Sequence, residues 1–245
     1  MVDTHCHLLS SEYEDFDFIL NDVMKNGIRC IVNGCNMDSN KEALELSNKY
    51  DLIYSAIGFH PSDIDLIPED YISFIESNID KVVAIGEIGL DYYWTKDNKD
   101  RQIELFEIQL KIAEKYNKPV IIHTRDAIMD TYNILKKYKL TGVIHAFSGS
   151  LEMANKFIDL GFKLGIGGVI TFKNSKLSNV VKEIDISNIV LETDSPYLSP
   201  EPVRGKKNTP INLKYIALFI AILKGITYDE VCRITFNTSV NLFDL

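Results

Sequence analysis

Pro119-Val120-Ile121-Ile122-His123 is a short branched aliphatic run that ends on an ionisable group. Consecutive branched residues leave no polar face, which suits a parallel strand covered on both sides. Val82-Val83-Ala84-Ile85 reads the same way ahead of Glu87, as does Gly142-Val143-Ile144 ahead of His145. Working outward, similar runs span residues 1–5, 28–34, 52–58, 82–87, 119–123, 142–146, 163–168 and 189–194. Helical stretches fill the gaps. Residues 15–26 stop before Gly27, residues 151–160 stop at Gly161, and Thr209-Pro210 opens a helix through Leu223 with Gly225 behind it. Residues 100–116 carry Ile103, Phe106, Leu110 and Ala113 at helical spacing. Ser39 with Glu42 reads as a capping box for a helix ending at Lys49, and Thr227 with Glu230 as another. Eight strand–helix alternations in 245 residues predict one (β/α)8 TIM barrel, with residues 1–245 forming a single α/β domain.

Such barrels carry their chemistry at the C-terminal ends of the strands. The ionisable groups fall there: His5 and His7, then Glu87, His123, His145 and Asp194. A strand buried on both faces has no structural use for a charge at its tip, and imidazoles converging with carboxylates are most often held by a metal ion. In extended chain, His5 and His7 point to one side and Cys6 to the other, so both imidazoles can face the barrel mouth. Cys6 reads as a small buried hydrophobe. Glu87 follows an apolar run between Gly86 and Gly89, where an unpaired charge is costly. Its two oxygens make it a candidate to bridge two cations. His123 and His145 on consecutive strands suggest a second metal pair. Asp194 can bind the first metal and take a proton from an attacking water. Glu192 reads as a neighbouring buried acid with a structural role.

Bulk properties limit the alternatives. The net charge of −9 argues against a protein that coats nucleic acid through a broad basic surface. Bound cations can still supply local positive charge for an anionic substrate. The longest apolar stretch, 215–223, is far short of the roughly 20 residues that span a bilayer. No signal peptide is visible, and the cysteines Cys6, Cys30, Cys35 and Cys232 form no CxxC pair. A reduced, cytoplasmic setting without membrane association is expected. Gly165-Ile166-Gly167-Gly168 lies in a late strand without dinucleotide-binding spacing, and Ser195 is in no nucleophile elbow. Neither an organic cofactor nor serine hydrolase chemistry is indicated.

Several longer motifs run in order along the chain. They are Asp3-Thr4-His5-Cys6-His7-Leu8, Gly58-Phe59-His60-Pro61, Gly86-Glu87-Ile88-Gly89-Leu90-Asp91-Tyr92, His123-Thr124-Arg125, His145-Ala146-Phe147-Ser148-Gly149-Ser150 and Glu192-Thr193-Asp194-Ser195-Pro196-Tyr197. Arg204-Gly205-Lys206 and Asn208-Thr209-Pro210 follow. With these motifs the chain resembles the TatD family of metal-dependent hydrolases, within the wider amidohydrolase-like group of barrels. The resemblance implies that His5, His7, Glu87 and Asp194 hold one metal, and that Glu87, His123 and His145 hold a second. It also implies deoxyribonuclease activity, including 3′-to-5′ exonuclease action, with single-stranded DNA or 3′ ends as substrate.

Two divalent ions can clamp a scissile phosphate and lower the pKa of water toward about 7. An all-N/O ligand set with a bridging carboxylate suits Zn, Mn or Mg. Outside the ligand set, His60 is expected to contact substrate phosphate, and Arg125 to offer it a bidentate fork. Arg204, Lys206 and Lys207 form a basic loop after the last strand, a usual phosphate region of barrels. Tyr92, Tyr93 and Trp94 can stack a base. Ser150 reads as a helix N-cap. The same metals could instead cleave another ester, such as D-aminoacyl-tRNA, or the barrel could serve as a non-catalytic metal-binding scaffold.

Overall fold

The branched aliphatic runs become eight strands: β1 (Val2–Cys6), β2 (Arg29–Asn33), β3 (Ile53–Ile57), β4 (Ala84–Asp91), β5 (Val120–Arg125), β6 (Gly142–Ile144), β7 (Phe162–Ile166) and β8 (Ile189–Leu191). The computed structural model describes all residues from Met1 to Leu245. Each strand pairs in parallel with the next, in chain order. Just past β8 the chain returns to β1. Asp194 N–H donates to His5 O at 2.9 Å, and His7 N–H donates to Ser195 O at 2.7 Å. The buried Asp3 carboxylate reinforces this seam, accepting from Thr193 N–H at 2.9 Å and Thr193 Oγ–H at 2.5 Å. The sheet is thereby a nearly closed barrel.

Its helices are α1 (Phe16–Lys25), α2 (Met37–Lys49), α3 (Tyr71–Ser77), α4 (Lys99–Lys115), α5 (Ile128–Leu135), α6 (Leu151–Asp159), α7 (Leu177–Glu183), α8 (Leu213–Lys224) and α9 (Tyr228–Phe243). Ile31, Ala56, Ala84, Ile121, Val143 and Val190, all from strands, form one apolar cluster with Phe243 of α9. That cluster fills the barrel interior, and Phe243 plugs its lower end. A far larger apolar layer joins the outer strand faces to the helices. With the interior filled from below, only the C-terminal rim is left for polar groups. No single helix is long and apolar enough to cross a membrane.

Two local expectations change. The α2 cap is Asn36, whose side chain accepts from Ser39 N–H at 3.1 Å while Ser39 Oγ answers the Asn36 N–H at 3.0 Å. Glu42 instead accepts from Ser10 N–H. The chain is already helical at Met37, so Ser39 stands in the first turn and cannot be the cap. β4 also runs on through Glu87 to Asp91, because Ile88, Gly89, Leu90 and Asp91 keep pairing with β5. Glu87 is therefore inside its strand and not at the tip.

Candidate metal centre

All five histidines of the chain approach one carboxylate. Glu87 is 3% exposed, and its two oxygens face different neighbours. Oε2 lies 3.4 Å from His5 Nε2 and 3.7 Å from His7 Nε2. Oε1 lies 2.9 Å from His123 Nδ1, 3.3 Å from His145 Nε2 and 3.6 Å from His60 Nε2. Asp194 joins the Oε2 half, with Oδ1 3.6 Å from His5 Nε2 and 3.5 Å from His7 Nε2. The six residues expected to bind metal are thus brought together around Glu87.

Local backbone explains much of this convergence. Period-two alternation turns His5 and His7 to the rim and drops Cys6 into an apolar cluster with Leu20, Val23 and Cys30. Gly89 presses against the His123 backbone, where a side chain would collide. This keeps β4 and β5 close at the level of the site. Ala146 and Asp194 have φ of 45° and 53°, a left-handed conformation that costs energy outside glycine and concentrates at functional sites.

The second nitrogen of each imidazole decides what the first can do. His7 Nδ1 faces Asn33 O at 3.0 Å, so it carries a proton there and turns Nε2 to the cluster. His123 is reversed: Nε2 donates to Asp91 Oδ2 at 3.1 Å, and Nδ1 faces Glu87. His145 Nδ1 lies 3.3 Å from Glu192 Oε1, within ion-pair reach but without good hydrogen-bond alignment. Glu192 Oε1 also accepts from Ala146 N–H at 2.6 Å, while its Oε2 is buried without a partner. His60 Nδ1 accepts from Ser62 N–H at 3.1 Å. Its neutral ring therefore carries the proton on Nε2, aimed at Glu87 Oε1. That makes His60 a hydrogen-bond donor rather than a metal ligand.

Burial and charge compete at every group. Burial disfavours the Glu87 carboxylate, but His5, His145, His60 and His123 outweigh it and hold its pKa well below the usual range. Burial is likewise outweighed at Asp194 by His7, and at Asp91 by His123 and the Tyr93 amide, so both stay ionised. For His145, Glu192 and Glu87 overcome burial and push the pKa up to about 9. His60 goes the other way, down to about 3, through burial and its neighbour His123.

These donors fit a divalent cation. A tetrahedral ion with ligands at about 2.0–2.1 Å separates them by about 3.4 Å. In the Oε2 half, His5 Nε2 and His7 Nε2 lie 3.3 Å apart, and they stand 3.4 and 3.7 Å from Glu87 Oε2 and 3.6 and 3.5 Å from Asp194 Oδ1. The two nitrogens face each other, an arrangement that a cation between them would satisfy. His5 Nδ1 is buried and unpartnered, which a protein interior seldom allows.

Three participants were not assigned to the site from sequence. Cys35, in the loop after β2, donates its thiol to Glu87 Oε2 at 3.5 Å and lies 3.9 Å from His7 Nδ1. Burial holds this thiol up at about 11. It sets a sulfur beside an otherwise N/O donor set. Asp91 and Glu192 are the other two. Asp91 stands in a quoted motif, four residues after Glu87, where strand alternation puts it on the same face. Cys35 follows Gly34 in a loop without periodicity and gave no comparable signal.

The expected substrate-side residues are dispersed around the rim. His60 stands within the cluster. Arg125 ends β5, forms no ion pair, and lays its guanidinium 3.6 Å from the Tyr93 ring centroid. Arg204 and Lys206 line a groove of about 640 Å³ with Tyr197 and Phe172. Arg204 stacks on Phe172 at 3.9 Å. Tyr92 is buried, with its hydroxyl donating to Asp130 at 3.2 Å, so it offers no face for a base. Ser150 caps α6 by accepting from Met153 N–H at 3.2 Å. Asn208 fastens the loop after β8, donating to Thr193 O at 2.9 Å and Tyr197 O at 2.7 Å.

A family model described as TatD related DNase matches residues 2–244. A metal-dependent hydrolase of Bacillus subtilis, YabD, is 42% identical over 99% of this chain and 98% of its own length. The Escherichia coli metal-dependent hydrolase YcfH is 35% identical, covering 100% of this chain and 96% of its own. Among solved structures, the TatD homologue YjjV of Escherichia coli superposes with a TM-score of 0.91 at 31% identity, covering 100% and 98% of the two chains.

Proposed function

This chain belongs to the TatD family of metal-dependent hydrolases, and on that premise we propose that it hydrolyses phosphodiester bonds as a deoxyribonuclease. Its substrates are single strands or 3′ ends, attacked in the 3′-to-5′ direction. One observation carries the reading: the two oxygens of Glu87 open onto separate donor sets, with His5, His7 and Asp194 on one side and His123 and His145 on the other. Two divalent ions, Zn, Mg or Mn, match that division. Bound there, such ions supply Lewis acidity, which lowers the pKa of water and offsets charge on phosphoryl oxygens.

The protein's own groups take the remaining roles. Asp194 stays ionised between two imidazoles, and its carboxylate orients the attacking water and accepts its proton. His60 stays neutral and presents Nε2–H, a donor suited to a phosphoryl oxygen. Arg125, unpaired at the rim, offers its guanidinium to a phosphate, and Arg204 with Lys206 extends the positive surface along the groove. Deep burial of Glu87 keeps the centre in low dielectric, where these charges act strongly.

The test combines elemental analysis of the purified protein with activity on short 3′-ended DNA and on mischarged tRNA. Two equivalents of metal and release of 5′-mononucleotides are the expected result. Ester cleavage on tRNA without nuclease activity would retire the nuclease reading.

A further inference from the structure

Two large aromatic rings stand in solvent beside the metal centre. Tyr93 is 52% exposed and Trp94 is 73% exposed, with one residue separating them from a β4 whose residues are all buried. Their rings meet edge to face at 4.8 Å. Arg125 covers one face of Tyr93 at 3.6 Å and lies 5.6 Å from Trp94. No carboxylate neutralises this guanidinium, although acidic residues outnumber basic ones by 35 to 26. The patch is fastened to the centre by one side chain. Asp91 Oδ1 accepts the Tyr93 N–H at 2.9 Å, and Asp91 Oδ2 accepts from His123 at 3.1 Å.

A second patch stands on the other half of the cluster. Tyr197, 53% exposed, sets its ring 6.1 Å from that of His7. It lines the groove that holds Arg204, Lys206 and Lys207. An aromatic face combined with an unpaired cation thus borders each half of the centre.

Resting on the phosphodiesterase reading, we propose that Trp94, Tyr93 and Arg125 form a subsite for an unpaired nucleotide, and that the strand continues over the centre into the Tyr197–Arg204 groove. The base would stack on the open Trp94 face, and its phosphate would pair with Arg125. A paired base has no free face to offer, so the subsite selects unpaired strands over duplex. A protein partner is the weaker occupant, because the patch joins a cation to π-faces beside a centre built for anions.

Trp94 is the sole tryptophan, so its fluorescence reports on this subsite alone. Binding is read on Asp194→Asn protein in saturating divalent ion, expected not to turn over because it lacks the group that accepts the proton of water. A short single strand is expected to quench the emission saturably. A blunt duplex of the same sequence, and an abasic strand of the same length, should bind more weakly and leave the emission unchanged. In the otherwise wild-type enzyme, Trp94→Ala should raise KM for the single strand by about 5- to 150-fold, the span of one lost base stack. Its kcat on methyl 4-nitrophenyl phosphate, which has no base, should not change. Equal binding of abasic and base-bearing strands, or an unchanged KM in Trp94→Ala, overturns the subsite. Failure of wild-type enzyme to cleave either phosphodiester overturns the underlying nuclease reading instead.

Discussion

His145 shows how single residues tie this centre to pH. Burial disfavours its charge, yet Glu192 and Glu87 hold its pKa at about 9 in the metal-free protein. A cation can use Nε2 only after that proton leaves. Below pH 9, metal uptake must therefore expel a proton, and apparent affinity should fall by roughly tenfold per pH unit for each proton displaced. Calorimetry in buffers of different ionisation enthalpy reads this directly, and no proton release at pH 7 would contradict it. The carboxylates behind the imidazoles make a second test. Asp91→Asn and Glu192→Gln keep volume but lose the charge that orders His123 and His145. Each should weaken metal binding by roughly 10- to 100-fold in chelator competition. Retention of wild-type affinity by both would remove their orienting role. Glu87→Ala should abolish turnover while the far-ultraviolet spectrum stays that of the folded barrel; undiminished turnover would contradict bridging. At this scale the sequence was legible where a period applies. His5 and His7 share a side because strands alternate. Cys35 was not legible, because no period governs the loop that brings it to Glu87.

Elements were legible in type and blurred at their ends. Eight apolar runs became eight strands, since burial on both faces leaves few other uses for them. Where runs stopped depended on tertiary pairing: β4 continues past Glu87 because β5 offers partners as far as Arg125. The α2 cap moved to Asn36 because two adequate capping residues lay three apart, and only the turn geometry chose between them. The α9 box of Thr227 and Glu230 formed as read, with both reciprocal bonds in place. Thr227→Ala should cost about 1 kcal/mol in denaturant unfolding. A larger effect is expected within β7. Gly165 leaves the space that the Glu192 carboxylate occupies, and any side chain there would strike it. Gly165→Ala should destabilise the fold by about 1–3 kcal/mol through overpacking. It should also displace Glu192 from His145, so metal affinity falls together with stability. A neutral substitution would show that the strand yields more than its packing suggests.

Over the whole molecule, one rim gathers buried carboxylates and imidazoles around Glu87, several of whose polar atoms have no partner. Divalent ions that bind only the folded chain should therefore raise its stability by about 2.7 kcal/mol at a hundredfold excess over Kd. For a chain of this size that is a melting shift of about 5–10 °C, read by differential scanning with and without chelator. An unchanged melting temperature would speak against a cation at the rim. The seam between β1 and β8 adds a further consequence. Asp3 and Thr193, which lock it, are 190 residues apart. Synthesis delivers His5 and His7 long before Asp194. A nascent chain therefore holds its first two imidazoles without their carboxylate partner, and a complete ligand set is expected only once the seam has closed.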